Sequence, residues 1–183
     1  MLGSSVKGKK LIGERANFAQ NLLSKNCFQM KLIPALVADF ENIYDGDPWF
    51  GSSYMHHLEN MPAEKANKSP LNDGRTIHRI VLHVVAWRLY LLEKMAGNDA
   101  FDLQYKSTAE WPEPPAGDDG WRISLEKLAE TQSGLLPFLQ KMDGRQLRRR
   151  VAGRSFDMQH LLTGVLQHDV YHLGQIAFLG TLV

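Results

Sequence analysis

The sequence is short of several things, and each shortage excludes a class of protein. Cys27 is its only cysteine, so neither an intrachain disulfide nor a cysteine-cluster metal site can form. One thiol, and an N-terminus (MLGSSVKGKK) with lysines but no apolar segment after them, fit a reducing, cytoplasmic setting and not a secretory signal. Charge of one sign is not in excess: 21 Lys and Arg face 20 Asp and Glu, a formal net charge of +1. That leaves no overall field to draw the chain onto nucleic acid or an anionic membrane. The apolar stretches, near Ile80–Trp87 and at the C-terminus, are broken by histidine, arginine or glycine, short of the roughly 18 residues that a membrane span needs. Period-two alternation, internal repeats and low-complexity tracts are missing. So are a nucleophile elbow, a P-loop and a dinucleotide fingerprint.

What remains is helical patterning in 183 residues, enough for one domain with a sizeable core. Apolar residues recur at helical spacing from Phe18 to Tyr44, most clearly at Leu36, Val37, Phe40, Ile43 and Tyr44. A first main helix is expected from about Lys31 to Tyr44, with Pro34 in its first turn, and a separate helical piece before it. Residues 49–74 read as irregular, with helical turns at Ser52–Leu58 and after Pro62. A second helix is expected over Thr76–Ala96, ended by Gly97. The long, proline-rich connection 97–120 follows, then a third helix from about Gly120 to Met142 under an Asp118 or Asp119 cap. After a polar linker, Asp157 caps a fourth helix reaching about Leu179. Four helices with one apolar stripe each bury those stripes best as a bundle, so the fold class is all-α.

Seven histidines are present, and three stand where chemistry would need them: His83, His168 and His172. Leu161, Val165, His168, His172, Ile176 and Leu179 follow one another at intervals of three or four, so two imidazoles occupy core positions of the fourth helix. His83 does the same between Ile80 and Trp87. One buried histidine ordinarily finds a carbonyl or carboxylate, and for each alone a hydrogen-bonded core histidine is the commoner explanation. Three in one core strain that explanation, whereas a divalent metal ion satisfies all three at once. Three neutral ligands leave an open position, as in a catalytic site. The ion could then lower the pKa of bound water for hydrolysis or of a bound thiol for transfer. The H-x-x-x-H pair lacks the accompanying glutamate base of H-E-x-x-H enzymes, which favours thiol S-transfer over hydrolysis.

Other residues are weaker candidates. His56 and His57 are either exposed loop residues or a fourth ligand or substrate contact. His78 and His160, near helix starts, are expected at the surface. Trp87 either walls a pocket or packs in the core. Asp169 and Gln175 either orient a ligand histidine or face solvent. The arginine cluster Arg145, Arg148, Arg149, Arg150 and Arg154 has no interleaved aromatics and reads as a solvated linker, so no nucleic-acid partner is expected.

A set of blocks carries a resemblance. Gly46-Asp47-Pro48-Trp49-Phe50-Gly51, Ile80-Val81-Leu82-His83-Val84-Val85-Ala86-Trp87-Arg88, Gly97, Glu110-Trp111-Pro112 and Gln167-His168-Asp169-Val170-Tyr171-His172-Leu173-Gly174-Gln175-Ile176 resemble, in that order, the DinB/YfiT-like superfamily. The resemblance spans about residues 30–183, leaving 1–29 as an N-terminal extension. It implies an up-and-down four-helix bundle with a long crossover connection, a divalent metal ion held by His83, His168 and His172, and a homodimer. Arg75 departs from it, standing where relatives often carry histidine. Relatives of known activity include bacillithiol-using thiol transferases and the mycothiol-dependent maleylpyruvate isomerase. The expected function is therefore a metal-dependent enzyme, with zinc or nickel, acting on a small molecule with a low-molecular-weight thiol as possible partner. The alternative is a non-catalytic metal- or ligand-binding bundle.

Overall fold

The computed structural model describes residues 32–72 and 74–183. The helical piece expected before Lys31, the 1–29 extension and Cys27 fall outside the described residues. Among those described, the protein is helical, with no strand and one isolated bridge between Arg150 and Asp157. Four long helices are α1 (residues 32–44), α4 (Ile77–Ala96), α5 (Gly117–Lys141) and α7 (Met158–Gly180); α2 (Tyr54–Leu58), α3 (Ala63–Ala66) and α6 (Gly144–Leu147) are single turns. None is long and apolar enough to cross a membrane.

Local chemistry sets the ends. Thr76 Oγ1 accepts the Arg79 N–H at 3.1 Å to start α4, and Asp157 accepts the His160 N–H at 2.9 Å to start α7. Gly97 closes α4 at φ 87°, a left-handed conformation open to glycine at little steric cost. The start of α5 differs from expectation. It begins at Gly117, and Asp118 and Asp119 lie in its first turn, where their charge meets unpaired N–H groups, instead of capping it. Gly120, expected as the helix start, is a contact point. A Cβ there would stand 2.2 Å from the Pro115 carbonyl oxygen. The polar linker 143–156 is also more ordered than expected. Asp143 and Gln146 form a capping box for α6, which buries Leu147.

Helix α4 packs against both α5 and α7, while α2 and α6 lie on α7 and α3 on α5. Apolar side chains gather in two clusters. One holds Tyr54, Val81, Val84, Trp121, Leu128, Leu173 and Ile176. The other holds Leu36, Phe40, Leu91, Leu135, Leu139, Leu162 and Val165. Burying a side chain of this size contributes about 1.5–3 kcal/mol before entropy is counted.

The Arg88 guanidinium lies where the clusters meet, 6.0 Å from the Phe40 ring and 5.7 Å from the Tyr54 ring. It donates from Nε to Asp169 Oδ2 at 2.8 Å and from Nη1 to Gln132 Oε1 at 3.0 Å, and Gln132 donates in turn to the Phe40 carbonyl at 3.0 Å. One buried polar chain thus ties α1, α4, α5 and α7 together. Asp169 is therefore not solvent-facing, and its carboxylate meets Arg88 instead of His83, His168 or His172.

Candidate metal centre

His83 comes from the middle of α4, and His168 and His172 from successive turns of α7. The structure brings the three together, with their ligand atoms within 4.8 Å of one another. His168 Nε2 lies 2.9 Å from His83 Nε2 and 3.0 Å from His172 Nε2. His83 and His172 are buried, each 4% exposed, and His168 is half-buried.

The second nitrogen of each ring decides what the Nε2 atoms are. His83 Nδ1 meets the Glu110 carbonyl oxygen at 2.8 Å, and His172 Nδ1 meets Gln175 Oε1 at 2.7 Å. Both oxygens only accept, so each Nδ1 carries the proton and each neutral ring turns an Nε2 lone pair inward. His168 can offer at most one proton to the two lone pairs facing it, and its own Nδ1 is buried with no partner among the described residues. The cluster therefore cannot satisfy itself by hydrogen bonding. A cation among the three nitrogens would receive all three lone pairs, and ligands on bonds of about 2.0–2.1 Å sit roughly 3 Å apart, near the separations seen. The residues present fit a metal ion.

Electrostatics agree with neutral rings. Desolvation by burial lowers His83, against the pull of the Glu110 carbonyl. Burial, reinforced by His172 and His83, takes His168 down to about 3. Burial also takes His172 down to about 4, with Gln175 working the other way.

The connection between α4 and α5 supplies the outer wall. Trp111 lies flat on His83 and also comes within 6.2 Å of the His172 ring. Glu110 is buried, but its carboxylate accepts the Lys106 N–H within its own loop. Among the described residues no carboxylate joins the three histidines. On the other side, Trp87 lies 5.6 Å from His168, and both line a cavity of about 240 Å³ with Phe156, Leu161 and Val165.

Gln175 holds the His172 ring through its Oε1. His56 and His57 lie on α2, edge to face at 5.3 Å, and do not join the cluster. His160 is exposed beside Phe156. His78, expected at the surface, is fully buried. Its Nδ1 meets Asn67 Oδ1 at 3.0 Å and its Nε2 meets Ser124 Oγ at 2.7 Å, packed on Trp121. That order matches a serine–histidine–asparagine relay, but Ser124 is also fully buried, so its role is to join α3, α4 and α5. Arg75 is exposed just before the α4 cap.

The arginine cluster is less of a solvated linker than expected. Arg149 donates to the Lys94 carbonyl at the end of α4, Arg145 pairs with Asp143, and Arg154 bridges Tyr90 and Asp102. Sequence reasoning gave no role to Glu110 and Trp111 at the site. Their only signal was their place in the motif blocks, since a loop carbonyl and a loop ring leave no periodicity.

No curated protein and no solved structure shows a significant match to the chain. The family model described as the DinB superfamily matches residues 51–176, a span that contains all three histidines, Glu110, Trp111 and Gln175. With more than half its length matched, this chain belongs to the DinB superfamily.

Proposed function

We propose that the chain is a divalent-metal-dependent enzyme acting on a small molecule, with thiol S-transfer favoured over hydrolysis. One observation carries the reading: His83 and His172, each held by an oxygen on Nδ1, aim lone pairs at His168 Nε2 from 2.9 and 3.0 Å. Zinc or nickel suits three neutral imidazoles. When bound, the ion acts as a Lewis acid that lowers the pKa of a coordinated thiol or water.

The chain's own residues do the rest. Three uncharged ligands leave the ion its full charge. Glu110 and Gln175 fix two of the rings, and Trp111 and Trp87 exclude water on either side. The cavity beside His168 gives a small organic molecule room next to the site. The absence of a carboxylate from the cluster favours a thiol, which needs no base beyond the ion, over amide hydrolysis.

In the same reading, α1, α4, α5 and α7 form an up-and-down four-helix bundle with a long crossover connection, working in the cytoplasm as a homodimer. The contacts of α4 with α5 and α7 and the Gln132–Phe40 bond support the bundle.

The test uses protein purified without an affinity tag. Elemental analysis should find one zinc or nickel per chain. The metal-loaded protein is then given low-molecular-weight thiols with a chromogenic electrophile, and in parallel ester and amide substrates. Metal-dependent, thiol-dependent turnover is expected. Ester or amide turnover with no thiol effect would reverse the ranking, and no turnover with metal fully bound would favour a non-catalytic binding bundle.

A further inference from the structure

We infer that Arg88 and Asp169 are positioning residues for the metal centre: their buried ion pair sets the register of α4 against α7 at which the three histidines converge. The inference rests on the reading of the histidine cluster as a metal site.

Both side chains are completely buried, with Nε and Oδ2 2.8 Å apart. Burying two charges is expensive, and replacing such a pair with apolar residues of similar size is often neutral or stabilising. Here the desolvation is not even fully compensated, because Arg88 Nη2 and Asp169 Oδ1 are buried with no partner among the described residues. Stability alone is therefore a poor account of the pair. Direction is a better one.

Apart from the histidines, α4 and α7 bring mainly apolar side chains to the shared clusters, among them Val81 and Val84 from α4 and Leu162, Val165, Leu173 and Ile176 from α7. Apolar packing tolerates small slides and rotations, losing uniqueness before stability. A three-ligand site does not, since its geometry must hold to about 0.5 Å. A charge-assisted hydrogen bond supplies the missing directional constraint. Its position suits the task, because Asp169 directly follows His168 and precedes His172 by three residues, while Arg88 lies five residues beyond His83 on α4. The clamp is itself braced. Gln132 holds Nη1 from α5, and the Tyr54 hydroxyl donates to the Asp169 carbonyl at 2.7 Å, fixing the α7 backbone next to the first ligand.

The experiment compares wild type with the Arg88→Met/Asp169→Leu double variant and with Asp169→Asn, using Co2+ as the probe. Helix content and the melting temperature of the metal-free double variant should stay close to wild type. Its Co2+ affinity should fall at least tenfold, and its visible spectrum at saturating Co2+ should change in position and intensity. A role in stability alone would move the melting temperature and leave the saturated spectrum untouched. A folded double variant with wild-type affinity and spectrum overturns the proposal. Should the double variant fail to fold, Asp169→Asn keeps the shape with one charge fewer. A several-fold loss of affinity with a shifted spectrum supports the proposal there, and an unchanged spectrum overturns it. Absence of Co2+ binding by wild type would instead sink the metal reading itself.

Discussion

The imidazole of His83 lies on the indole of Trp111 with ring centroids 3.7 Å apart and planes 7° from parallel. A stacked pair of this kind is worth about 0.5–1.5 kcal/mol beyond the area it buries. It also holds the His83 ring in the plane that its Nδ1 bond to Glu110 requires. Trp111→Leu should therefore weaken metal binding several-fold without abolishing it. Titration of the metal-free protein with Co2+ or Ni2+ should quench indole fluorescence, and the Leu variant should lose a large share of that quenching. Full quenching in Trp111→Leu would show that Trp87, beside His168, is the reporting ring.

That stack was not legible in the sequence, whereas the three clustered histidines were, and the difference is physical. A histidine on an apolar stripe is a polar side chain where periodicity demands an apolar one, so His83, His168 and His172 announced themselves. The same test, applied evenly, would have found more. Arg88 follows Ile77, Val81 and Val84 on the α4 stripe, and Asp169 lies between Val165 and Leu173 on α7. Opposite charges at core positions of two helices are a readable sign of a buried pair. His78 was misjudged because a place near a helix start says nothing of what covers it; here Trp121 and Ser124 of α5 do. Helix limits set by side-chain caps or glycine, at Thr76, Gly97 and Asp157, were readable. The start of α5 was not, because Ala116 caps without a side-chain bond.

Removal of each of the three clustered imidazoles should act on metal binding first. His83→Ala, His168→Ala and His172→Ala should each cut retained metal sharply, and the His168→Ala/His172→Ala protein should retain none. Gln175→Leu removes the acceptor that holds His172 Nδ1. Loss of such a partner typically costs ten- to a hundredfold in metal affinity, about 1.4–2.7 kcal/mol. Isothermal titration with Zn2+ measures all of these, and stoichiometric metal in the double variant would refute the ligand assignment.

Acid should destabilise the protein through His78 as well as through His168 and His172. Burial lowers the His78 pKa below its usual 6.5. Below pH 6.5 the unfolded chain takes up a proton at this position that the folded chain refuses. Stability is thus fully present above about pH 6.5 and declines as the pH falls toward the folded value, by at most about 1.4 kcal/mol per pH unit for one group. The lowered values of His168 and His172 add a decline of the same sign, extending toward pH 4 and below in metal-free protein. His78→Gln should be less stable at neutral pH, having lost a buried bond, yet show a shallower decline between pH 6.5 and 5. Chemical denaturation at a series of pH values tests this, and parallel slopes for the two proteins would contradict it.

Self-association should use the exposed face of α7. Gly164, Gln167, Tyr171, Gly174 and Phe178 recur there at intervals of three and four, and all are exposed, Tyr171 by 64% and Phe178 by 60%. Among the described residues, and apart from the helix's own neighbouring backbone, nothing lies within 4 Å of where a Cβ on Gly164 or Gly174 would stand. Against the described residues these glycines therefore weaken the helix, by about 1 kcal/mol each relative to alanine, for no steric reason. A second copy pressing its own α7 against the stripe would supply the reason, since glycine permits close approach and a two-fold contact pairs the same face with itself. Light scattering at micromolar concentration should give twice the 20.7 kDa chain mass. Phe178→Glu should return the monomer mass with metal content unchanged, because Phe178 lies well beyond the ligand turns. Gly164→Ala and Gly174→Ala separate the two accounts of the glycines. On a free face each raises the melting temperature by a few degrees and leaves the mass alone, whereas on a covered face each weakens the dimer. A monomeric wild type that the alanines stabilise would dispose of the interface.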